Sequence, residues 1–141
     1  MANPVVGAIQ ILQTAGVGTL GASSGWGLFG GALPDTPNNA IAVMQSGGLQ
    51  PWAGYALDFP QIQVLVRSDA AAYLTGRTKA NAVKDALLGI DPQTADGDDW
   101  WGVTMISDIT ELGRDKQSRF LFSLNFQVFL APANTGNREV I

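Results

Sequence analysis

The chain has 141 residues, 46% of them hydrophobic and only 14% charged, with a formal net charge of −4. That length fits one domain with a moderate core, and the net acidity argues against wrapping nucleic acid on a basic surface. With no cysteine and no histidine, disulfides, thiolate metal sites, thiol nucleophiles and the commonest general base are all excluded.

The amino end opens on a helix. Asn3 followed by Pro4 is a start signal, Val5, Ile9 and Leu12 fall on one stripe, and Gly16 is the stop. The run from Met1 to Leu33 is uncharged, but Gln10, Gln13, Thr14 and repeated glycines interrupt it before about 20 apolar residues accumulate, so no membrane span is expected. Nor does a Lys/Arg region precede the apolar stretch, as a signal peptide would require. From Gly16 to Gly31 seven glycines mark a loop with a short strand around Trp26 to Phe29. Gly25, Gly27 and Gly30 spell G-x-G-x-x-G. A dinucleotide fingerprint needs a strand before it, a helix after it and an acid some twenty residues on. Here two serines precede it and Pro34 follows, so a flexible connection is the better reading.

Two half-buried strands follow, Ala40 to Gln45 and Gln61 to Val66, both alternating apolar with polar. Between them "SGGLQPWAGYALDFP", with Trp52 and Tyr55, reads as a turn-rich connection. Ser68 or Asp69 can cap a second helix whose stripe is Ala80, Val83 and Leu87, closed near Gly89 with Pro92 beyond. An acidic surface loop, Asp91 to Asp99, leads to a third strand from Trp100 to Ile106. Turn residues Gly113 to Gln117 reverse the chain into a long last strand.

That strand is the strongest signal. Phe120, Phe122, Leu124, Phe126, Val128 and Leu130 occupy alternate positions, giving one fully apolar face. At about 3.3 Å per residue it spans roughly 36 Å, about twice the common strand length. The order of elements predicts an α+β domain: a mainly antiparallel sheet with one long C-terminal strand, packed by an N-terminal helix and a central helix. Residues 1–141 form a single domain, with 1–33 a weakly charged helix plus Gly-rich connection and 132–141 a C-terminal tail.

Chemistry is scarce. Asp96, Asp98 and Asp99 read as a solvated run, with a weak calcium site as the alternative, and no nucleophile has an identifiable base. No cofactor or metal is therefore expected, and no enzyme. Charge is uneven: residues 1–66 hold only Asp35 and Asp58, whereas residues 67–141 hold the other ten acids and all eight bases. Arg114, Asp115, Lys116 and Arg119 cluster beside the last turn. They read either as a turn bridged by surface ion pairs of about 0 to 1 kcal/mol or as a docking patch for another subunit.

The passages "PDTPNNAIAVMQSGGLQP", "PQIQVLVRSDAAAYLTGRTKANAVKDALLG" and "LGRDKQSRFLFSLNF" resemble the minor tail and tail terminator, or tail-completion, proteins of long-tailed bacteriophages. The resemblance runs from about Pro34 to Phe126. It implies a structural virion protein of the tail or neck that forms a homo-hexameric ring on the tail tube, stops its growth and presents a surface to the head. Its partners would then be other copies of itself, the tail tube protein and a head-completion or neck protein. DNA would pass through the channel without specific binding, and the subunit would reside in the host cytoplasm before assembly. By the same analogy Arg67, Arg114, Asp115, Lys116 and Arg119 are candidate interface residues. Asp58 with Asp96, Asp98 and Asp99 are candidates for the channel wall, because acids repel phosphate. The alternatives are another neck or tail component, such as a head-closure or tail tube protein, and, in another class, a small-ligand-binding domain using the Gly-rich loop.

Overall fold

The computed structural model describes residues 3–54, 56–133 and 136–138, which leaves Tyr55 and much of the expected C-terminal tail outside the described residues. Helix α1 spans Pro4–Thr14, and strands β1 (Thr19–Leu20), β2 (Gly27–Gly30), β3 (Ala40–Trp52) and β4 (Leu57–Ser68) follow. Helix α2 (Tyr73–Leu87) precedes β5 (Gln93–Ala95), β6 (Asp98–Arg114) and β7 (Phe120–Ala131). The seven strands form one sheet in the order β1-β2-β3-β4-β7-β6-β5.

The fold is α+β with two helices, but the sheet is mixed. β1, β2 and β3 run parallel, while β3, β4, β7, β6 and β5 are joined antiparallel. The parallel edge comes from the Gly-rich segment, where Gly27–Gly30 enters the sheet as β2 beside Ala40–Val43. No helix separates β2 from β3, so the G-x-G-x-x-G run lacks the helix N-terminus that a pyrophosphate would need.

Both helices cover one face. α1 starts where Asn3 Oδ1 accepts from the amides of Val5 (3.1 Å) and Val6 (3.3 Å), satisfying two of the free N–H groups of its first turn. It buries Ala8, Ile9, Ile11 and Leu12, and α2 buries Ala80, Val83 and Leu87. Against them stand Ile41 and Val43, Ile62, Val64 and Val66, and the β7 row Phe122, Leu124, Phe126, Val128 and Leu130. Each such side chain contributes about 1.5 to 3 kcal/mol on burial. Glycines set the approach distances. A Cβ on Gly7 would lie 2.8 Å from the Trp100 ring, and one on Gly76 would lie 2.6 Å from the Phe122 ring.

Several elements differ from the sequence reading. α2 is capped by neither Ser68 nor Asp69; it begins after Ala72 with no side-chain cap. Ser68 remains in the β4–β7 ladder opposite Phe120, and a turn from Asp69 to Ala72 intervenes, closed by the Ala72 amide on the Asp69 carbonyl (3.0 Å). The expected connection Ser46–Pro60 is mostly strand: β3 and β4 run on as a hairpin arm through two register shifts. β6 is far longer than Trp100–Ile106, so the last turn lies at Asp115–Arg119. The Asp91–Asp99 segment is not a plain loop but contributes β5 and the start of β6.

The ladders also end early at both margins. β2 pairs with β3 only as far as Val43, and β5 pairs with β6 only from Asp98 to Trp100. Beyond those points, among the described residues, β3 and β6 have a strand neighbour on one side only.

Candidate functional site

Strand direction sorts the charged candidates onto opposite ends of the sheet. β3 and β7 run one way, β4 and β6 the other. Arg67 therefore lies at the same end as the β6–β7 turn, and Asp58 lies with the β5–β6 hairpin.

At the first end, two arginines hold the segment before β3. Arg67 projects from the face opposite the helices, since its neighbours Val66 and Ser68 are buried beneath them. Its guanidinium donates to the carbonyls of Pro37 (2.7 Å) and Asn38 (3.1 Å). Arg119 donates to the Asp35 carbonyl (2.7 Å) and the Asn38 Oδ1 (3.4 Å), and its Nε donates to Asp115 Oδ2 at 2.8 Å. Arg67 is 3% exposed and Arg119 6% exposed, so neither lies free at the surface, as a docking arginine beside a turn would. Burial, and then the like charge of Arg119, hold the Arg67 pKa below its ordinary value, with Asp115 and Asp35 offsetting part of this. Burial alone would raise the Asp115 carboxyl. The Arg119 amide and guanidinium, the Gln117 amide and the Arg119 charge together outweigh that, so its pKa is lowered. Arg114 and Lys116 remain exposed, and Arg114 lies 4.5 Å from the Phe120 ring centre.

At the second end, Asp58 is half-buried and pairs with Arg138 (Nη1 to Oδ1, 2.5 Å), whose own pKa the carboxylate pushes up. Asp98 is 1% exposed, and its Oδ1 accepts from the Ala133 amide at 2.8 Å. It therefore belongs to the interior rather than to a solvated acidic run. Asp96 is half-buried in a left-handed turn (φ 49°), and its amide donates to Gln10 Oε1 at 2.7 Å. Asp99 is exposed and accepts from Thr94 Oγ1 at 3.1 Å. Among the described residues, no group of three or more acidic side chains is placed to hold a metal ion.

Sequence reasoning missed Asp35, Asn38 and Arg138. A signal existed: Asp35 and Asp58 are the only charges in the first 66 residues, and each meets an arginine from the second half, Asp35 meeting Arg119 at 3.6 Å. A lone acid in an uncharged segment marks where a distant cation must arrive.

Between the two ends, the face opposite the helices is lined by neutral amides and hydroxyls. Gln61 Nε2 donates to Gln127 Oε1 (3.0 Å), Gln63 Nε2 to Ser123 Oγ (3.0 Å), and Gln127 Nε2 to the Phe59 carbonyl (2.9 Å). Toward the β3–β4 arm it turns apolar, with Phe59 edge-on to both Trp52 (5.3 Å) and Phe129 (6.0 Å).

Compared with known proteins, residues 11–131 match a family described as "Bacteriophage tail terminator protein". No curated protein sequence matches the chain. Among solved structures, a chain of the "Virion of native gene transfer agent (GTA) particle" shares the fold, with a TM-score of 0.60 and 17% identity over 88% of this chain and 91% of that one.

Proposed function

Since the chain belongs to the bacteriophage tail terminator family, a family of structural tail proteins, we propose that it forms a homo-hexameric ring on the tail tube. That ring ends tube growth and offers the head-side components their attachment surface. The observation that carries this reading is the unlike exposed charge at the two ends of the strands. Arg114 and Lys116 stand at one end together with the acids Asp35, Asp69 and Glu111, a mixed set, whereas the exposed charges at the other end are the acids Asp91 and Asp99. A closed ring of identical copies sets every equivalent end on the same rim. Its two rims are then chemically unlike, as an adaptor between two different partners requires. That a chain of a gene transfer agent virion shares the fold accords with a place in an assembled particle.

In this reading the subunit waits in the host cytoplasm and enters the virion tail on assembly, and DNA passes through the channel without specific contacts. Light scattering on the purified chain, with negative-stain images, tests the ring: the expected mass is six times the 14.8 kDa subunit. Tails assembled without the chain should be uneven and overlong, and adding it should restore a fixed length. Growth into tubes by the purified chain would instead make it a tube subunit.

A further inference from the structure

We infer that neighbouring copies join edge to edge, the free margin of β3 in one copy pairing antiparallel with the free margin of β6 in the next, so that the sheets run on from subunit to subunit. This rests on the ring reading above and specifies its joint.

An unpaired strand edge offers a row of N–H and C=O groups that a second strand can satisfy. Among the described residues this sheet has one such edge on each side, β3 from Met44 to Gln50 and β6 from Thr104 onward, the Val103 carbonyl before it being taken by the Gly89 amide (3.0 Å). Three antiparallel steps separate them, β3 to β4, β4 to β7 and β7 to β6, so β6 runs opposite to β3. A second copy set beside the first in the same orientation therefore brings its β3 antiparallel to the first copy's β6. The joint repeats the hairpin geometry already inside the subunit.

Level and charge agree with that match. Gln45 pairs with Ile62, Ile62 with Phe126, and Phe126 with Met105, so Gln45 and Met105 stand at one height on the two margins. Over that height neither margin has a charge: 44–52 and 101–107 contain no Asp, Glu, Lys or Arg. The charged part of β6, Asp108 to Arg114, lies nearer the other end, where β2 already occupies the edge of β3. Each margin also exposes an apolar side chain, Leu49 (60%) on β3 and Ile106 (52%) on β6. The occupant that fits is a second copy of this chain, because one chain presents both halves of the joint. Joining unlike patches generates a ring when the rotation closes. Both margins carry register shifts, and such bulges bend and twist a sheet toward closure.

The absence of cysteine from the chain gives a clean cross-linking test. Gln45→Cys is combined in turn with Thr104→Cys, Ile106→Cys and Ser107→Cys, all exposed positions, and with Thr78→Cys on α2 as the control. Melting temperature and mass are recorded before oxidation. The expected result is a ladder of disulfide-linked multimers ending at six copies for at least one β3–β6 pair, and no ladder with Thr78→Cys. Rings of full mass with no ladder from any of the three pairs would overturn the edge joint and leave the ring reading standing. A β3–β6 ladder running far past six would keep the edge joint and sink the ring. A parent chain that stays monomeric at every concentration, with no ladder, would remove both.

Discussion

Asp115 and Arg119 hold each other three ways across the β6–β7 turn. The Arg119 amide donates to Asp115 Oδ1 (2.9 Å), its Nε to Oδ2 (2.8 Å), and the Asp115 amide to the Arg119 carbonyl (2.9 Å). The same guanidinium reaches the Asp35 carbonyl, so one residue closes the turn and fixes the segment before β3. The folded pKa of Asp115 lies below its ordinary value, and the unfolded value is about 3.9. Its contribution to stability is therefore complete above about pH 4 and is lost as pH falls through the folded value. Arg119→Met should lower the melting temperature at pH 7 and flatten its decline on the acid side. An unchanged acid profile would show that Asp115 is held by its backbone contacts alone.

Arg114 and Arg119 should separate assembly from folding. Arg119 is buried and Arg114 exposed, so Arg119→Glu should unfold the hairpin end. Arg114→Glu should leave the melting temperature close to that of the parent and weaken attachment of the ring to its partners, most strongly at low salt. Equal losses of melting temperature in both variants would place Arg114 in the fold.

Gly76→Ala has a diagnostic sign. In an exposed helix, alanine is favoured over glycine by about 1 kcal/mol. Here the added methyl meets the side chains of Ser68 and Phe122, and overpacking costs about 1 to 3 kcal/mol. Net destabilisation in urea is expected; a stabilised variant would mean that α2 shifts off β4 freely.

Phe122 and Phe126 are each at most 1% exposed in the centre of the core. Replacing either with alanine should cost about 3 to 5 kcal/mol, read as a lower denaturation midpoint with an unchanged slope. Full stability in both variants would contradict the packing of β7 under the helices.

The acidic end offers a test on DNA. Asp98 is an interior hydrogen-bond acceptor, so it must be left intact. Asp96→Lys with Asp99→Lys changes half-buried and exposed positions and should make assembled rings bind DNA at low salt, the affinity falling steeply as salt rises. Intact rings with no gain in DNA affinity would take this hairpin out of the channel wall and turn attention to Asp58 and to the amide face around Gln61 and Gln127.

Local patterns were the legible part of the fold. Alternation in β7 and the Asn3–Pro4 start of α1 depend on neighbours in sequence, and both appear in the structure. The β3–β4 arm was not legible, because Gly47 and Gly48 read as a turn. They serve as a bulge instead: a Cβ on Gly48 would lie 2.7 Å from the Pro60 Cα, so glycine is required by close backbone approach rather than by chain reversal. At the candidate site, the Arg-rich turn was found but its burial was not. Arg119 is covered by a segment 84 residues away, and nothing local to residues 114–119 records that distance.

The hold that Arg119 keeps on the Asp35 carbonyl also fixes an order in time. On a ribosome adding about 5 to 20 residues per second, Asp35 emerges on the order of 10 seconds before Arg119. β4 meets its partner β7 only after β6 has been made. Through that interval the free margins of β3 and β6 belong to an unfinished sheet, and a growing chain does not present the matched pair of edges that a neighbour would join. On the proposed ring reading, β7 would be the strand that qualifies a subunit for assembly, and half-made chains would stay out of a ring that a single faulty copy would leave open.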